Sequence, residues 1–257
     1  MRRVRIIPVL LVQQGRLVKT TAFAKPKYVG DPINSVKIFN DKQVDELIVL
    51  DISASPSGKG PDLSLIRDIA SECFMPLAYG GGITTVEQAQ AIFRSGVEKV
   101  ILNTAFFSTP ALVGEIARIY GSQAVVVSID VKRPWPLRKP VAVYRSAARS
   151  SGMSPVDAAR RAVEAGAGEL FLNVVDRDGT MSGYDIDLIR AVAGSVEVPV
   201  IAAGGASKIN DFVAAVRDAG ASAVSAGAMF VFNGPHRAVL ISYPDQATLR
   251  SRVFEHL

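Results

Sequence analysis

The sequence predicts a single (β/α)8 TIM barrel with an internal half-barrel repeat. Three observations predict it. Eight short apolar runs alternate with helical stretches, the chain matches itself at about half its length, and 257 residues allow one such barrel, as they also allow two ordinary domains.

The apolar runs are Val4 to Val12, Glu46 to Ile52, Met75 to Tyr79, Val97 to Leu102, Ala124 to Ile129, Glu169 to Val175, Val198 to Ala202 and Ala223 to Ala226. They are largely apolar throughout instead of alternating, the pattern of parallel strands covered on both faces. Thr84 to Ser95 and Ser207 to Ala219 carry apolar residues at helical spacing, each opened by a hydroxyl residue able to cap. Basic residues precede the first run, but no small-residue cleavage site follows it, so it reads as a strand and not as a targeting segment.

Sliding the chain by 123 residues lays Glu46 to Arg67 on Glu169 to Arg190 without a gap. Glu46/Glu169, Leu47/Leu170, Gly60/Gly183, Asp62/Asp185, Leu65/Leu188, Ile66/Ile189 and Arg67/Arg190 coincide. Pro76 to Gly82 meets Pro199 to Gly205 at the same offset. Each half then supplies four strand-helix units, approximately residues 1–122 and 123–257 of one domain, and right-handed crossovers close them into a barrel. A doubly wound open sheet is the alternative, but the Gly-rich turn it places near its first strand is absent.

Composition excludes several classes. Apolar residues make up 49% of the chain, against disorder, and no run approaches the length of a membrane span. Cys73 is the sole cysteine and His236 and His256 the only histidines, so neither a disulfide, a metal site nor a cofactor is expected, and the cytoplasm is the expected compartment. The net charge of +5 is dispersed without aromatic interleaving, against nucleic acid. Its densest zone, Lys132, Arg133, Arg138, Lys139, Arg145 and Arg149, would suit a small polyanion or be a solvated loop.

In such a barrel chemistry sits where strands end. That selects Leu11, Asp51, Gly80 to Gly82, Asn103 with Thr104, Asp130, Asp176, Gly204 with Gly205, and Gly227 with Ala228. Gly-rich turns that open helices expose backbone N–H groups able to cradle a phosphate. The repeat therefore predicts two phosphate pockets, one from Gly82, Asn103 and Thr104, the other from Gly179, Gly205, Gly227 and Ala228. Glycines that merely permit tight turns are the plainer alternative. Asp51, Asp130 and Asp176 are acid-base candidates, or caps and ion-pair partners.

Arg5-Ile-Ile-Pro8, Gly15 to Lys19, Gly30-Asp-Pro32, Asp45 to Asp51, Gly80 to Ile83, Asn103-Thr-Ala105, Ile129 to Arg133, Asp176 to Thr180, Ser182 to Asp185 and Ile201 to Ala206 together resemble the cyclase subunit of imidazole glycerol phosphate synthase, over nearly the whole chain. The resemblance implies a barrel that receives ammonia from a glutaminase bound at its amino-terminal face and passes it along a central channel to a phosphorylated substrate at the other face. It implies Asp130 as one of two catalytic carboxylates, Lys19 as a substrate-loop cation, and the two pockets as phosphate anchors. The position of the second carboxylate holds Leu11, and Ala228 stands where the family usually has a serine. Loss of one of two acid-base groups typically forfeits ~10²- to 10⁴-fold in rate.

Arg5, Glu46, Lys99 and Glu169 match the family's ammonia gate, all at strand starts, where solvated charges are the ordinary expectation. Three of them fall on even-numbered strands and can form one axial layer, and the neighbouring Glu98 suits a partner contact. Val18 to Thr21, Glu72 to Tyr79 and Asn233 to Pro244 resemble a branch in which glutaminase and barrel supply a separate ATP-dependent sugar amidotransferase for surface polysaccharide. A genuine cyclase subunit is the alternative. A noncatalytic activator of the glutaminase and the sibling sugar-phosphate isomerase are further ones, the isomerase also expecting an acid where Leu11 stands. His236, in a Gly-Pro turn, reads as structural.

Overall fold

The computed structural model describes residues 3–136 and 139–257, so Arg138 of the basic zone lies outside the described residues. Eight parallel strands close on themselves: β1 (Arg5–Gln13), β2 (Leu47–Asp51), β3 (Leu77–Gly80), β4 (Lys99–Leu102), β5 (Val125–Lys132), β6 (Glu169–Val174), β7 (Val200–Ala203) and β8 (Ala223–Ala226). Each pairs in parallel with the next, and β8 returns to β1 with Arg5 opposite Ala223. This is the (β/α)8 barrel the sequence predicts.

The helices between strands are α1 (Pro32–Asp41), α2 (Leu63–Ser71), α3 (Val86–Arg94), α4 (Ala111–Tyr120), α5 (Pro155–Glu164), α6 (Ile186–Ala193) and α7 (Ile209–Val213), with α8 (Gln246–Arg252) after β8. Side-chain caps set several starts. Asp31 accepts from Asn34 N–H ahead of Pro32, Thr85 and Gln88 form a capping box on α3, and Ser154 caps α5. Two expected starts move by one residue. Thr85 caps α3, with Thr84 one position outside, and Lys208 holds the cap position of α7 while Asp211 accepts from the Ser207 and Lys208 N–H groups. The second of these helices also changes pitch, continuing as a π-turn over Ala214–Asp218.

The repeat has a physical content. Asp62 and Asp185, which coincide in sequence, cap α2 and α6 in the same way, accepting from N–H groups of the first turn. Gly60 and Gly183 serve as close-approach points. A Cβ on Gly82 would lie 3.0 Å from Gly60 Cα, and one on Gly205 would lie 2.1 Å from the Gly183 carbonyl oxygen. Both turns demand glycine for room, and Gly82 and Gly205 also have positive φ.

Two antiparallel excursions stand on the mouth where strands end. After β1 the chain reverses at Gln14-Gly15, pairs Arg16–Thr21 with β1, reverses again at Ala22-Phe23 and returns over Ala24–Gly30. After β5, Val141–Tyr144 pairs back onto β5 with Val143 opposite Asp130. A small hairpin, Phe232–Asn233 with Ala238–Val239, follows β8.

Inside the barrel Ile7, Ile48, Ala78, Ile101, Val126, Phe171, Ile201 and Ala223 form an apolar cluster separate from the larger strand-helix core. It divides the axis into a lower charged end and an upper cavity. Among the described residues no helix is long and apolar enough to cross a membrane.

Candidate functional site

Below the apolar cluster the four strand-start charges meet. Arg5 bonds both Glu46 and Glu169, and the Lys99 ammonium lies 3.0 Å from Glu46 and 2.8 Å from Glu169. Both carboxylates are buried, whereas both cations keep partial contact with water. Burial works against the Arg5 charge, but the hydrogen bonds and attraction of Glu169 and Glu46 outweigh it and hold the guanidinium above its ordinary value. Two cations and two anions in alternation leave no net charge, so mutual attraction offsets the desolvation that would forbid either carboxylate alone. The solvated reading of these positions does not hold. Glu98, beside Lys99, is exposed.

Above the cluster lies a cavity of about 320 Å³. Of the residues singled out in sequence, Leu11, Lys19, Asp51, Gly80, Gly81, Gly82, Asn103, Thr104, Asp130, Gly204 and Gly227 line it, whereas Asp176, Gly179, Gly205 and Ala228 do not. Strand alternation explains the selection at β5, where Val126, Ser128 and Asp130 all face the axis.

Asp130 is buried and accepts a 3.0 Å hydrogen bond from Ser128 Oγ. Burial pushes its carboxyl up to about 7, the Ser128 hydrogen bond opposing and the nearby Asp178 charge adding to the rise. It is a carboxyl poised to exchange a proton near neutrality. Leu11, also lining the cavity, presents an apolar wall and no second acid.

Besides Asp130, the cavity is lined by Asp51 at the end of β2 and by a carboxylate from the loop after β6, Asp178. Arg177 and Asp178 N–H groups both bond the Val174 carbonyl, at 3.0 and 2.9 Å, so the chain turns tightly there. That turn sends Asp176 outward to accept the Arg133 N–H at 2.7 Å, and returns Asp178 over the mouth. Lys19 meets both Asp178 oxygens at 2.9 Å and is itself 4% exposed. Sequence reasoning named the neighbouring acid of the Asp-Arg-Asp triplet, and spacing alone carries no sign of which acid the turn will aim inward.

Other candidates are already engaged within the chain. Asp51 Oδ1 accepts from Ser53 N–H, Ser53 Oγ and Ala54 N–H, which makes it the organiser of the turn after β2. Gly82 N–H donates to Ser55 Oγ at 3.2 Å, and the Asn103 amide donates to the Ser128 and Val143 carbonyls at 3.0 and 3.4 Å. Thr104 begins a short helix, Thr104–Ser108. On the other side, a Cβ on Gly179 would strike the Thr20 carbonyl oxygen at 2.1 Å, and Ala228, buried, begins the short helix Ala228–Val231. Gly227 lies against the Lys19 side chain. His236 is exposed in its turn.

A parallel eight-stranded barrel with a charged lower ring and a carboxylate-bearing upper cavity is the class of protein defined so far. The model of one family, described as histidine biosynthesis protein, matches residues 5–235. A Pseudomonas aeruginosa protein provisionally named imidazole glycerol phosphate synthase subunit hisF2 is 51% identical over 245 residues, 95% of this chain and 97% of that protein. A Leptospira interrogans protein provisionally named imidazole glycerol phosphate synthase subunit HisF is 46% identical over 246 residues, 96% of this chain and 97% of its own. The Alkaliphilus metalliredigens imidazole glycerol phosphate synthase subunit HisF is 42% identical over 229 residues, 89% and 90% of the two chains. The chain belongs to the histidine biosynthesis protein family, and within it to the HisF-type cyclase subunits of imidazole glycerol phosphate synthase.

Proposed function

We propose that this chain is the ammonia-conducting subunit of a glutamine amidotransferase. On this reading a glutaminase docks on the amino-terminal face in a heterodimer, and the ammonia it releases passes the Arg5, Glu46, Lys99 and Glu169 gate and leaves through the upper cavity. The product is an amidinated sugar for surface polysaccharide, made by a separate ATP-dependent enzyme. The observation that carries the reading is the pairing of an intact charged gate with Leu11 at the mouth. A gate beneath a mouth with Leu11 where the resemblance implies the second catalytic acid favours delivery of nitrogen over its use on the spot. Neutral ammonia crosses an apolar layer such as Ile7, Ile48 and Phe171 at far lower cost than ammonium, so such a layer holds back ions more strongly than ammonia.

A second reading, the genuine cyclase, is favoured by Asp178. It supplies another carboxylate near Asp130, so two acid-base groups are available to a phosphorylated ligand held by Lys19, Gly82, Asn103, Thr104 and Gly227. One assay separates the two. Purified protein given the bisphosphorylated ribulosyl substrate and an ammonium salt should show negligible turnover, and Leu11→Asp should gain it. Robust turnover by the unmodified chain would sink the delivery reading.

Lys99→Ala tests the gate itself. With glutaminase present, it should uncouple glutamine hydrolysis from amidination and release free ammonia. Unchanged coupling would favour a noncatalytic activator.

A further inference from the structure

Three segments that follow strand ends in sequence, Gln13–Gly30, Val131–Val156 and Gly227–Pro244, contain no aspartate or glutamate, although the chain has 24 of them. They carry Arg16, Lys19, Lys25, Lys27, Lys132, Arg133, Arg138, Lys139, Arg145, Arg149 and Arg237, of which Lys19 is paired with Asp178 and Arg133 with Asp185. Apart from Arg133, which Asp176 and Asp185 engage, and Lys19, which Asp178 engages, these cations give their segments a positive field, with the carboxylates Asp51, Asp130 and Asp178 set back in the cavity wall.

The same segments expose large apolar groups. Trp135 is 83% exposed, Tyr28 61%, Leu240 53% and Val239 43%. All belong to segments that border one opening, because Phe23, Pro26, Ser146, Asp130 and Gly227 line a common cavity. Two of the segments are fastened together. Lys27 donates to the Arg237 carbonyl at 3.1 Å, and the Lys27 and Arg237 cations lie 5.1 and 5.5 Å from the Phe232 ring centroid. Arg237 also bonds the Gly179 carbonyl, tying in the loop that carries Asp178. Tyr28, Val239 and Leu240 thus sit on a braced platform and not on independent loops. Exposed apolar groups around an opening, ringed by one sign of charge, have the composition of a protein contact.

A small anion steered into the cavity would use the charge but not the apolar groups. A second protein would use both, and capping the opening would keep neutral ammonia from escaping to solvent. We infer that the rim of the mouth is a docking surface for an ammonia-consuming enzyme with an acidic face, seated on the exposed Trp135, Tyr28 and Leu240 of the segments that border the cavity. This rests on the delivery reading above, since a barrel that consumed its own ammonia would have no need of a cap.

The full chain is titrated separately with a purified ATP-dependent sugar amidotransferase, with phosphatidylglycerol-phosphatidylcholine vesicles and with duplex RNA. Binding to the enzyme is expected, weakening as salt rises. The pair Trp135→Ala and Leu240→Ser should weaken it about tenfold or more, and the charge reversals Lys139→Glu and Arg149→Glu should do the same most strongly at low salt. Phe74→Ala, at an exposed site ahead of β3 on the opposite face, should change nothing, and circular dichroism checks that each variant folds. No binding to the aminating enzyme, binding insensitive to the rim changes, or rim-dependent binding to vesicles or RNA would overturn the inference. If glutamine-derived ammonia still emerges from the mouth in that event, conduction stands and only the docking falls. If rim-dependent binding holds while the unmodified chain turns over the ribulosyl substrate, docking stands and the delivery reading falls.

Discussion

Lys19 Nζ lies 2.9 Å from each carboxylate oxygen of Asp178, so the cation on the first mouth hairpin is already neutralised by the loop after β6. The pair holds two loops together, because Ala22 N–H also bonds the Asp178 carbonyl at 2.8 Å and Thr20 Oγ1 reaches the carboxylate at 3.4 Å. An anionic ligand would have to compete with Asp178 for Lys19. Asp178→Asn removes a nearby negative charge from Asp130, so the Asp130 carboxyl should titrate below its present value of about 7. Carbon-13 NMR titration of the carboxyl reads this directly, and an unchanged midpoint would show that the two acids do not feel each other.

Asp130 itself gives a stability signature. Its folded-state value is raised from 3.8 to about 7, so the unfolded chain gives up its proton first as pH rises. The contribution of the neutral carboxyl is fully present below about pH 4 and is lost as pH climbs to about 7. Asp130→Asn should therefore leave unfolding free energy near that of the parent at pH 4 and raise it by up to about 4 kcal/mol at pH 8. Urea denaturation at the two values is the measurement, and equal effects at both would contradict the burial argument.

The lower ring should behave as one unit. Glu46→Gln leaves Arg5 and Lys99 sharing Glu169 and is expected to cost about 1–3 kcal/mol, below the figure for a fully buried pair because both cations keep some water. Adding Lys99→Met restores the charge balance, so the double variant should be less destabilised than the sum of the singles. A double-mutant cycle with no coupling energy would mean the contacts are incidental.

Leu11→Asp adds a carboxyl to the cavity that Asp51, Asp130 and Asp178 already line. The added acid should raise the Asp130 midpoint above about 7 and destabilise the fold progressively as pH rises, with little effect at pH 4. Thermal melts across pH test it.

Gly205→Ala and Gly15→Ala make a matched pair. Both glycines have positive φ, but an added Cβ meets the Gly183 oxygen at 2.1 Å in the first case and nothing within 4 Å in the second. Gly15→Ala should cost about 1 kcal/mol from backbone strain alone, and Gly205→Ala several times as much through collision with backbone that cannot yield. Equal losses would argue that the turn relaxes.

Much of this molecule was legible in its sequence. The eight apolar runs became eight strands within a few residues, because a strand covered on both faces must be apolar at nearly every position. The repeat matched Asp62 with Asp185 and Gly60 with Gly183 without saying why, and the structure supplies the reason, since capping and close approach each restrict residue type at a fixed place. The hairpin after β1 was not foreseen. Its second reversal, Ala22-Phe23, adopts positive φ without glycine or asparagine, so the usual turn chemistry is missing there.

Local sequence, then, determined the barrel, its register of caps and the chemical types that reach the strand ends, because periodicity and turn requirements act over a few neighbouring residues. Only the tertiary structure decided that Asp178 and not Asp176 enters the cavity, that Lys19 is paired, and that Arg5, Glu46, Lys99 and Glu169 meet around the axis. Those outcomes depend on where a turn aims a side chain and on contacts between residues as far apart as Arg5 and Glu169, which closure of the sheet brings within bonding distance and no short-range pattern encodes.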